Sequence, residues 1–189
     1  MAEKDKKSIY LSFLLRHQPG SISLEMDKHG WVDVKELLKK IKEHGKYKIS
    51  FEELEEIVSK DAKGRYRFNE NKTRIKACQG HSIPWVEPEL EYKEPPEFLY
   101  HGTTTEKLKL IKQSGSISKM QRHAVHMQAD MVMAWKSAVR WKMNPVVLKI
   151  AAKELNAQGV RFGVSDNGVW CAESIPVKYI TEYIYNYES

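Results

Sequence analysis

Cysteine is scarce in this chain, which excludes two common ways of stabilising a small domain. Cys78 and Cys171 are the only two cysteines, and neither belongs to a C-x-x-C pair or a zinc-type Cys/His spacing. A disulfide framework or a structural zinc site needs more cysteines or closer ligands. We therefore expect both thiols to be buried as small apolar side chains, and we expect no bound metal.

Long apolar runs and glycine-rich fingerprints are also missing. No stretch approaches the roughly 20 apolar residues of a membrane span, and the opening MAEKDKKS lacks the apolar part of a signal peptide. The patterns G-x-G-x-x-G, G-x-x-x-x-G-K-[ST], H-E-x-x-H and G-x-S-x-G do not occur. The sequence predicts a soluble, cytoplasmic monomer without a membrane partner, whose chemistry comes from scattered polar side chains.

Length and positive charge are what the chain does have. Its 189 residues suit one domain or two small lobes, and its formal charge is +6. A positive excess of this size is consistent with an anionic partner.

The first part of the chain predicts helices with clear ends. The apolar run SIYLSFLL must end by Pro19, because proline lacks a backbone donor and restricts the residue before it. Asp33, after the short strand GWVDV, can cap the helix VKELLKKIKEH, which Gly45 closes. Ser50 and Glu53 form an S-x-x-E capping box for a third helix.

A basic hairpin follows these helices. The strands RYRF and TRIKACQ flank the polar turn NENK, and three helices with a hairpin are typical of a winged-helix module. Residues 63–81 carry six basic residues against one acidic residue, so this hairpin is either a solvated strand face or a phosphate-binding wing. The charged residues are Lys63, Arg65, Arg67, Lys72, Arg74 and Lys76, with Glu70 as the acid.

A proline-rich segment separates this part from the rest. Four prolines and five glutamates lie between Ser82 and Phe98, which is the composition of a linker rather than of a helix or strand. We therefore expect an N-terminal lobe at residues 1–83, a linker at 84–97 and a second lobe at 98–189.

The second lobe predicts an α+β fold. The strand FLY leads into HGTT and then into the helix EKLKLIKQSG, which ends at a glycine. The short strand AVHMQ, a helix capped by Asp130 and the buried-type strand PVVLKIAA follow. VRFGVSDNGVWC contains an Asn-Gly turn typical of a tight hairpin, and KYITEYIYNY alternates like a final strand with core-facing aromatics.

Charged residues in unusual settings are the candidates for function. Arg16 and His17 end the first helix, where cations offset the helix dipole, and taken alone this is the favoured interpretation. Arg122 precedes an apolar strand, where an ion pair and an anion site are both open. His101 leads from a strand into Gly102, and it is either a satisfied core residue or a ligand contact, since glycine permits close approach to the backbone.

A series of motifs, taken in order, resembles one family. The motifs are LSFLLRHQP, DKHGWVDVKELL, KGRYRF, ACQGHSI, YHGTT, SGSISKMQR, PVVLKI and SDNGVWC. They resemble the RNA 2′-phosphotransferases of the KptA family, best known as tRNA 2′-phosphotransferases. The similarity runs over nearly the whole chain, from about Ile9 to Ile180.

The resemblance implies a winged-helix RNA-binding lobe, an NAD⁺-binding lobe of the ADP-ribosyltransferase type, and a two-step reaction. The internal 2′-phosphate of an RNA, such as a tRNA splice junction, would attack C1″ of the nicotinamide riboside and expel nicotinamide. The resulting 2′-phospho-ADP-ribosylated RNA would be attacked at phosphorus by the ribose O2″. The products would be RNA with a 2′-hydroxyl and ADP-ribose 1″,2″-cyclic phosphate.

The resemblance also implies site residues. Arg65 is preferred to Arg67 as the hairpin arginine because the family has an arginine directly before an aromatic residue and two residues ahead of another strand residue. Arg67 and Phe68 fit only part of that pattern. Guanidiniums bind phosphate bidentately, as lysine cannot, which suits a reaction without a metal. His17 either protonates the leaving RNA oxygen or only binds the phosphate. The implied catalytic set is Arg16, His17, Arg65 and Arg122, and the implied NAD⁺-binding residues are His101, Gly102, Thr103, His126 and Ser165.

One stretch departs from the family pattern. The family usually has Arg-x-His-Val-His-Leu-Ser, whereas this chain has RHAVHMQ at residues 122–128, so that Ala124 and Gln128 replace a histidine and a serine. The departure bears on any NAD⁺ contact from those positions. His123 would face the other side of the strand.

Two other functions compete with the family reaction. An ADP-ribosyltransferase that stops after the first step, capping phosphorylated nucleic-acid ends or a protein, would not need Arg16, His17 and Arg65. A winged-helix binding module without catalysis would leave the YHGTT lobe without a purpose.

Overall fold

The computed structural model describes residues 3–87, 89–120, 122–141 and 143–187. The chain divides into two units, residues 1–89 and residues 90–189. Among the described residues, no helix is both long enough and apolar enough to cross a membrane.

The first unit combines helices with a small antiparallel sheet. Leu11, Leu14 and Leu15, at helical spacing, are fully buried and pack in one core with Leu37 and Ile75. The elements are α1 (Glu3–Arg16), a 3₁₀ turn (Pro19–Ile22), β1 (Val32–Asp33), α2 (Val34–His44), α3 (Phe51–Ser59), β2 (Tyr66–Phe68) and β3 (Arg74–Ala77). The sheet order is β1-β3-β2, with Val32 opposite Ile75 and Tyr66 opposite Ala77.

The helix ends predicted from the sequence are confirmed. The Asp33 carboxylate accepts a hydrogen bond from the Glu36 amide at 2.9 Å, and Gly45 follows α2 with a φ of 78°. The Ser50 hydroxyl accepts a hydrogen bond from the Glu53 amide at 3.2 Å, and the Glu53 carboxylate accepts one from the Ser50 amide at 3.1 Å, as a capping box requires. These starts and stops depend only on neighbours within a turn, which is why the sequence predicts them.

Acidic side chains neutralise much of the basic hairpin. The positive charge is therefore not simply solvated, and these cations are less available to phosphate than their number suggests. Pairing occurs between Lys72 and Glu55 at 2.6 Å, between Arg74 and Asp27 at 2.7 Å, and between the buried Lys76 and Glu89.

The second unit mixes helices with antiparallel strands, in agreement with the predicted α+β class. The elements are β4 (Glu91–Tyr92), β5 (Phe98–Thr104), α4 (Thr105–Ser114), β6 (Ser116–Ser118), β7 (Val125–Met127), α5 (Met131–Ala138), β8 (Pro145–Ala151), α6 (Ala152–Ala157), β9 (Gly163–Val164), β10 (Trp170–Ala172), β11 (Ser174–Pro176) and β12 (Ile180–Ile184). The sheets have the orders β4-β9-β10-β7, β12-β8-β5 and β11-β6, and a bridge between Tyr100 and Gln128 connects β5 with β7.

Two local predictions in this part of the chain need correction. Strand β5 does not end at FLY but continues through HGTT, because it pairs with β8 as far as Thr104 opposite Pro145. The predicted linker contains β4, which pairs with β9. The predicted Asn-Gly hairpin is confirmed: Val164 pairs with Trp170, the Gly168 amide donates to the Ser165 carbonyl at 2.8 Å, and Gly168 takes a positive φ of 75°.

The thiols behave as predicted. Cys78 and Cys171 are both buried, and they form no disulfide with each other. Burial raises the pKa of the Cys171 thiol to about 12, so that it stays protonated and non-nucleophilic near neutral pH. Within the described residues, no group of three or more His, Cys, Asp and Glu side chains is arranged to hold a metal ion.

Candidate functional site

The end of α1 lies against a segment from Cys78 to Ser82, which we call the 78–82 segment. The Ser82 amide donates to the Arg16 carbonyl at 2.9 Å, and Nδ1 of His17 lies 2.8 Å from the Ser82 hydroxyl. Gly80 has a φ of 85°, and a Cβ there would lie 3.6 Å from the Arg16 guanidinium carbon. Arg16 and His17 are therefore held by a specific tertiary contact, and not merely placed at a helix end.

The same segment adjoins Arg65. The Cys78 amide donates to the Arg65 carbonyl at 2.8 Å, two residues before Gly80. Asp61 accepts from the Arg65 amide, and its carboxylate lies 3.3 Å from the Arg65 guanidinium. Arg67 instead lies over the Trp31 ring, 5.5 Å from its centroid. The 78–82 segment is therefore bonded to the main chain of Arg65, and the choice of Arg65 over Arg67 as a site residue stays a prediction.

His81 anchors the 78–82 segment to the unit. Its side chain is 2 % exposed. A Cβ on Gly30, whose φ is 83°, would come within 2.8 Å of His81 Nε2, so only glycine fits opposite the ring. The sequence pattern indicates no role for His81 or Ser82, although both lie in the ACQGHSI motif.

In the second unit, His101 contacts the backbone of β7. Its Nδ1 lies 2.8 Å from the His126 carbonyl oxygen, which can only accept, so Nδ1 carries the proton. Burial and the nearby cations Arg122 and Lys107 lower the pKa of His101. The imidazole is therefore neutral at pH 7 and presents Nε2 as a hydrogen-bond acceptor.

Arg122 is the cationic group of this second cluster. One guanidinium nitrogen lies 3.2 Å from Nδ1 of His126. Partial burial and then the positive charge of Arg140 lower the pKa of Arg122, which still remains charged at neutral pH. In the part of the chain that the structure describes, Arg122 has no acidic partner.

Other candidate residues have structural contacts that the sequence did not indicate. A Cβ at Gly102 would meet the Ala134 carbonyl at 2.1 Å, so α5 packs directly on β5 there. Thr103 is buried in β5 opposite Val146. The buried Ser165 hydroxyl bonds within its own turn, to Asn167 and Val169. A ligand contact from Gly102, Thr103 or Ser165 stays a prediction.

The two residues that depart from the family pattern also have packing roles. Ala124 is buried with Val169 and Cys171. The backbone of Gln128 exchanges two hydrogen bonds with Tyr100, each at 2.8 Å. Val125 and Met127 are buried on alternate positions of β7, while His126 is partly exposed between them.

Comparison with known proteins places this arrangement in a family. A sequence model described as "RNA 2′-phosphotransferase, Tpt1 / KptA family" matches residues 2–174. Three bacterial relatives carry the name "Probable RNA 2′-phosphotransferase". The relative from Fusobacterium nucleatum is 44% identical over 173 residues, which is 90% of this chain and 94% of the relative. That from Burkholderia pseudomallei is 41% identical, covering 93% of each chain, and that from Pseudomonas syringae pv. tomato is 38% identical, covering 95% of each. The chain therefore belongs to the RNA 2′-phosphotransferase, Tpt1 / KptA family.

Proposed function

We propose that the protein removes an internal 2′-phosphate from RNA and consumes NAD⁺ in doing so. The observation that carries the proposal is the gathering of Arg16, His17 and Arg65 by the 78–82 segment. We further propose that the first unit is the winged-helix RNA lobe and the second an NAD⁺-binding lobe of the ADP-ribosyltransferase type. Helices α1 to α3 with the sheet β1-β3-β2 support the first assignment.

In the first unit, Arg16 and Arg65 are suited to hold a phosphate. A phosphate dianion needs two or more fixed cationic donors, and guanidiniums supply paired N–H groups in a rigid plane. The Asp61 carboxylate contacts both the amide and the guanidinium of Arg65, and the Arg16 guanidinium lies within van der Waals distance of the Cβ position of Gly80. Both cations are therefore preorganised, which favours stabilisation of a transition state over that of the ground state.

In the second unit, the donor set fits an anionic dinucleotide. Beyond the larger effect of burial, the charges of Arg122 and Lys107 lower the pKa of His101, and that of Arg140 lowers the pKa of Arg122, so three cations lie in this region. A diphosphate would be attracted there, and the neutral Nε2 of His101 can accept a hydrogen bond from a ribose hydroxyl. When bound, NAD⁺ would supply C1″ as the electrophile and nicotinamide as the leaving group.

The second step requires proton transfer as well as charge stabilisation. The bond from O2″ to phosphorus forms and that from phosphorus to the RNA O2′ breaks; O2″ loses a proton and O2′ gains one. Arg16 and Arg65 stabilise the charge on the phosphoryl oxygens. His17, in its protonated imidazolium form, would donate the proton that O2′ requires and be left neutral.

Nicotinamide release tests the proposal. The protein is mixed with NAD⁺ and a short RNA carrying one internal 2′-phosphate, and nicotinamide and RNA products are separated by chromatography. The proposed reaction yields one nicotinamide for each 2′-hydroxyl RNA. Release of nicotinamide with the phosphate still on the RNA would instead indicate the capping ADP-ribosyltransferase, and no release would indicate a binding module.

His101→Ala is expected to weaken the use of NAD⁺ while leaving RNA binding nearly intact. The substitution removes the acceptor Nε2 and the contact to the His126 carbonyl, both within the second unit. Losing one such hydrogen bond costs on the order of 1.5 kcal/mol, roughly a tenfold rise in KM for NAD⁺. Steady-state kinetics and RNA-binding titrations on the folded variant measure the two effects. Equal loss of both would contradict the assignment of NAD⁺ to the second unit.

Turnover is expected to need no divalent metal. The proposed arginines neutralise the phosphate themselves, so EDTA should leave the rate on a short, unstructured RNA within about twofold, because no step stabilises charge through a metal. The rate is compared with and without EDTA, and then with added Mg²⁺. Activity that EDTA abolishes and Mg²⁺ restores would refute this expectation.

A further inference from the structure

We propose that Ser82 is a positioning residue for His17, setting which imidazole nitrogen carries the proton while allowing the ring to change its protonation state. This inference rests on the proposed function for its kinetic consequence, but its structural consequence can be measured in the resting protein. Nothing in the family match or in the names of the relatives assigns a role to this serine.

Geometry is the first support. The Ser82 hydroxyl lies 2.8 Å from His17 Nδ1, and these residues are 65 positions apart in the chain. The Ser82 amide also donates to the carbonyl of Arg16, the residue before His17, at 2.9 Å. The two residues are thus joined by a backbone and a side-chain contact at once, which fixes the hydroxyl relative to the imidazole ring.

The burial of the residues on either side of Ser82 is the second support. His81, directly before Ser82, is 2 % exposed and packs against Gly30, where a Cβ would approach its Nε2 to 2.8 Å. On the other side of Ser82, Ile83 is 5 % exposed. Because both neighbours of Ser82 are buried, its backbone is fixed in place. Its hydroxyl is therefore a fixed hydrogen-bond partner for His17.

The chemistry of a hydroxyl is the third support. Phosphate oxygens that carry no proton only accept hydrogen bonds, so a neutral His17 contacts one only through a protonated Nε2. Nδ1 must then accept, and its partner must donate. A serine hydroxyl donates to neutral Nδ1 and accepts from it when the ring is protonated, so the contact survives proton transfer in either direction.

His101 provides the contrast within the same chain. Its Nδ1 faces the carbonyl oxygen of His126, which can only accept. That ring is locked with the proton on Nδ1 and with Nε2 as an acceptor, as suits a residue that binds a neutral hydroxyl. The two histidines therefore differ because their partners differ: the neutral ring of His101 presents Nε2 as an acceptor, whereas the neutral ring of His17 can present Nε2–H to a phosphate oxygen.

The structural test uses ¹⁵N-labelled protein without ligands. Long-range ¹H–¹⁵N spectra, recorded at about pH 8.5 where an ordinary histidine is neutral, report the tautomer of each ring. The signals of His17 are assigned as those lost in His17→Asn. We expect the Nε2–H tautomer in the wild type and in Ser82→Thr, and a mixture of tautomers in Ser82→Ala. A wild-type ring with its proton on Nδ1, or an unchanged tautomer in Ser82→Ala, overturns the proposal.

The kinetic test asks whether positioning matters for the reaction. Ser82→Ala should lower kcat for the second step roughly five- to tenfold, which corresponds to one hydrogen bond. KM for RNA should change little, and Ser82→Thr should restore the rate. Ser59→Ala is the matched control, because its hydroxyl donates to the Glu56 carbonyl at the end of α3. A mixed tautomer with unchanged kcat would refute the positioning role.

Failure of the proposed function and failure of this inference give different results. A wild-type protein that releases no nicotinamide contradicts the proposed function, while the spectra still decide the tautomer. If Ser82→Ala does not fold, as judged by circular dichroism, Ser82→Cys replaces it, since a thiol is of similar size but a much weaker donor. An unchanged His17 tautomer in Ser82→Cys would then also count against the proposal.

Discussion

Arg16→Ala and Arg65→Ala are expected to slow the second step of the proposed reaction roughly 100-fold or more, so that 2′-phospho-ADP-ribosylated RNA accumulates. Losing one preorganised donor at a site of developing negative charge costs on the order of 3 kcal/mol. The first step needs an accessible, nucleophilic phosphate, and strong neutralisation of that phosphate even weakens its attack. Both arginines should therefore matter more for the second step than for the first.

A time course on a denaturing gel separates the starting RNA, the intermediate and the 2′-hydroxyl product. Arg67→Ala is the matched control, because the Arg67 guanidinium lies over the Trp31 ring. Arg122→Ala should already slow the first step, since Arg122 belongs to the cluster around His101. If Arg16→Ala and Arg65→Ala fold, react slowly and never show the intermediate, this division of roles is wrong even though the family is right.

Gly102→Ala is expected to destabilise the second unit by about 3 kcal/mol or more. The added Cβ would lie 2.1 Å from the Ala134 carbonyl oxygen and 3.0 Å from the Ala138 nitrogen. Both are backbone atoms of α5 and its end, so no side chain can rotate away and the helix must separate from β5. Overpacking usually costs 1–3 kcal/mol, and a clash with rigid backbone lies at the upper end, so the estimate is of the order of 3.

Denaturant unfolding and amide exchange of β5 and β8 measure this loss. Gly20→Ala is the control, because a Cβ there has no neighbour within 4 Å and should change stability by less than about 1 kcal/mol. A Gly102→Ala protein as stable as the wild type would mean that α5 does not pack on β5 as described. The result also bears on function: a folded variant with normal stability but impaired NAD⁺ use would favour a ligand-binding role for Gly102.

Signals within a few residues of each other could be predicted from the sequence. The stop at Pro19, the caps at Asp33 and Asp130, and the capping box from Ser50 to Glu53 all occur as expected. Each is satisfied by the backbone of the next turn, so its outcome depends little on the rest of the fold. The order of the motifs likewise identified the family without any coordinates.

Contacts between residues distant in the chain could not be predicted from the sequence. The first strand of the second lobe was predicted to end at FLY, yet pairing with β8 keeps HGTT in β5. The basic hairpin was predicted to be either a solvated face or a phosphate-binding wing, yet Glu55, Asp27 and Glu89 neutralise three of its cations. In both cases a partner distant in sequence changed what the local composition suggested.

The sequence by itself determined that Arg16, His17, Arg65 and Arg122 were candidates, because residue types and family motifs are local properties. Only the tertiary structure decided how the first three are held. Ser82 reaches His17 across 65 positions of the chain, and the Cys78 amide bonds the Arg65 carbonyl. Between them in the chain, His81 packs against Gly30. The state of a histidine follows from the partner of its other nitrogen, and that partner is chosen by the fold.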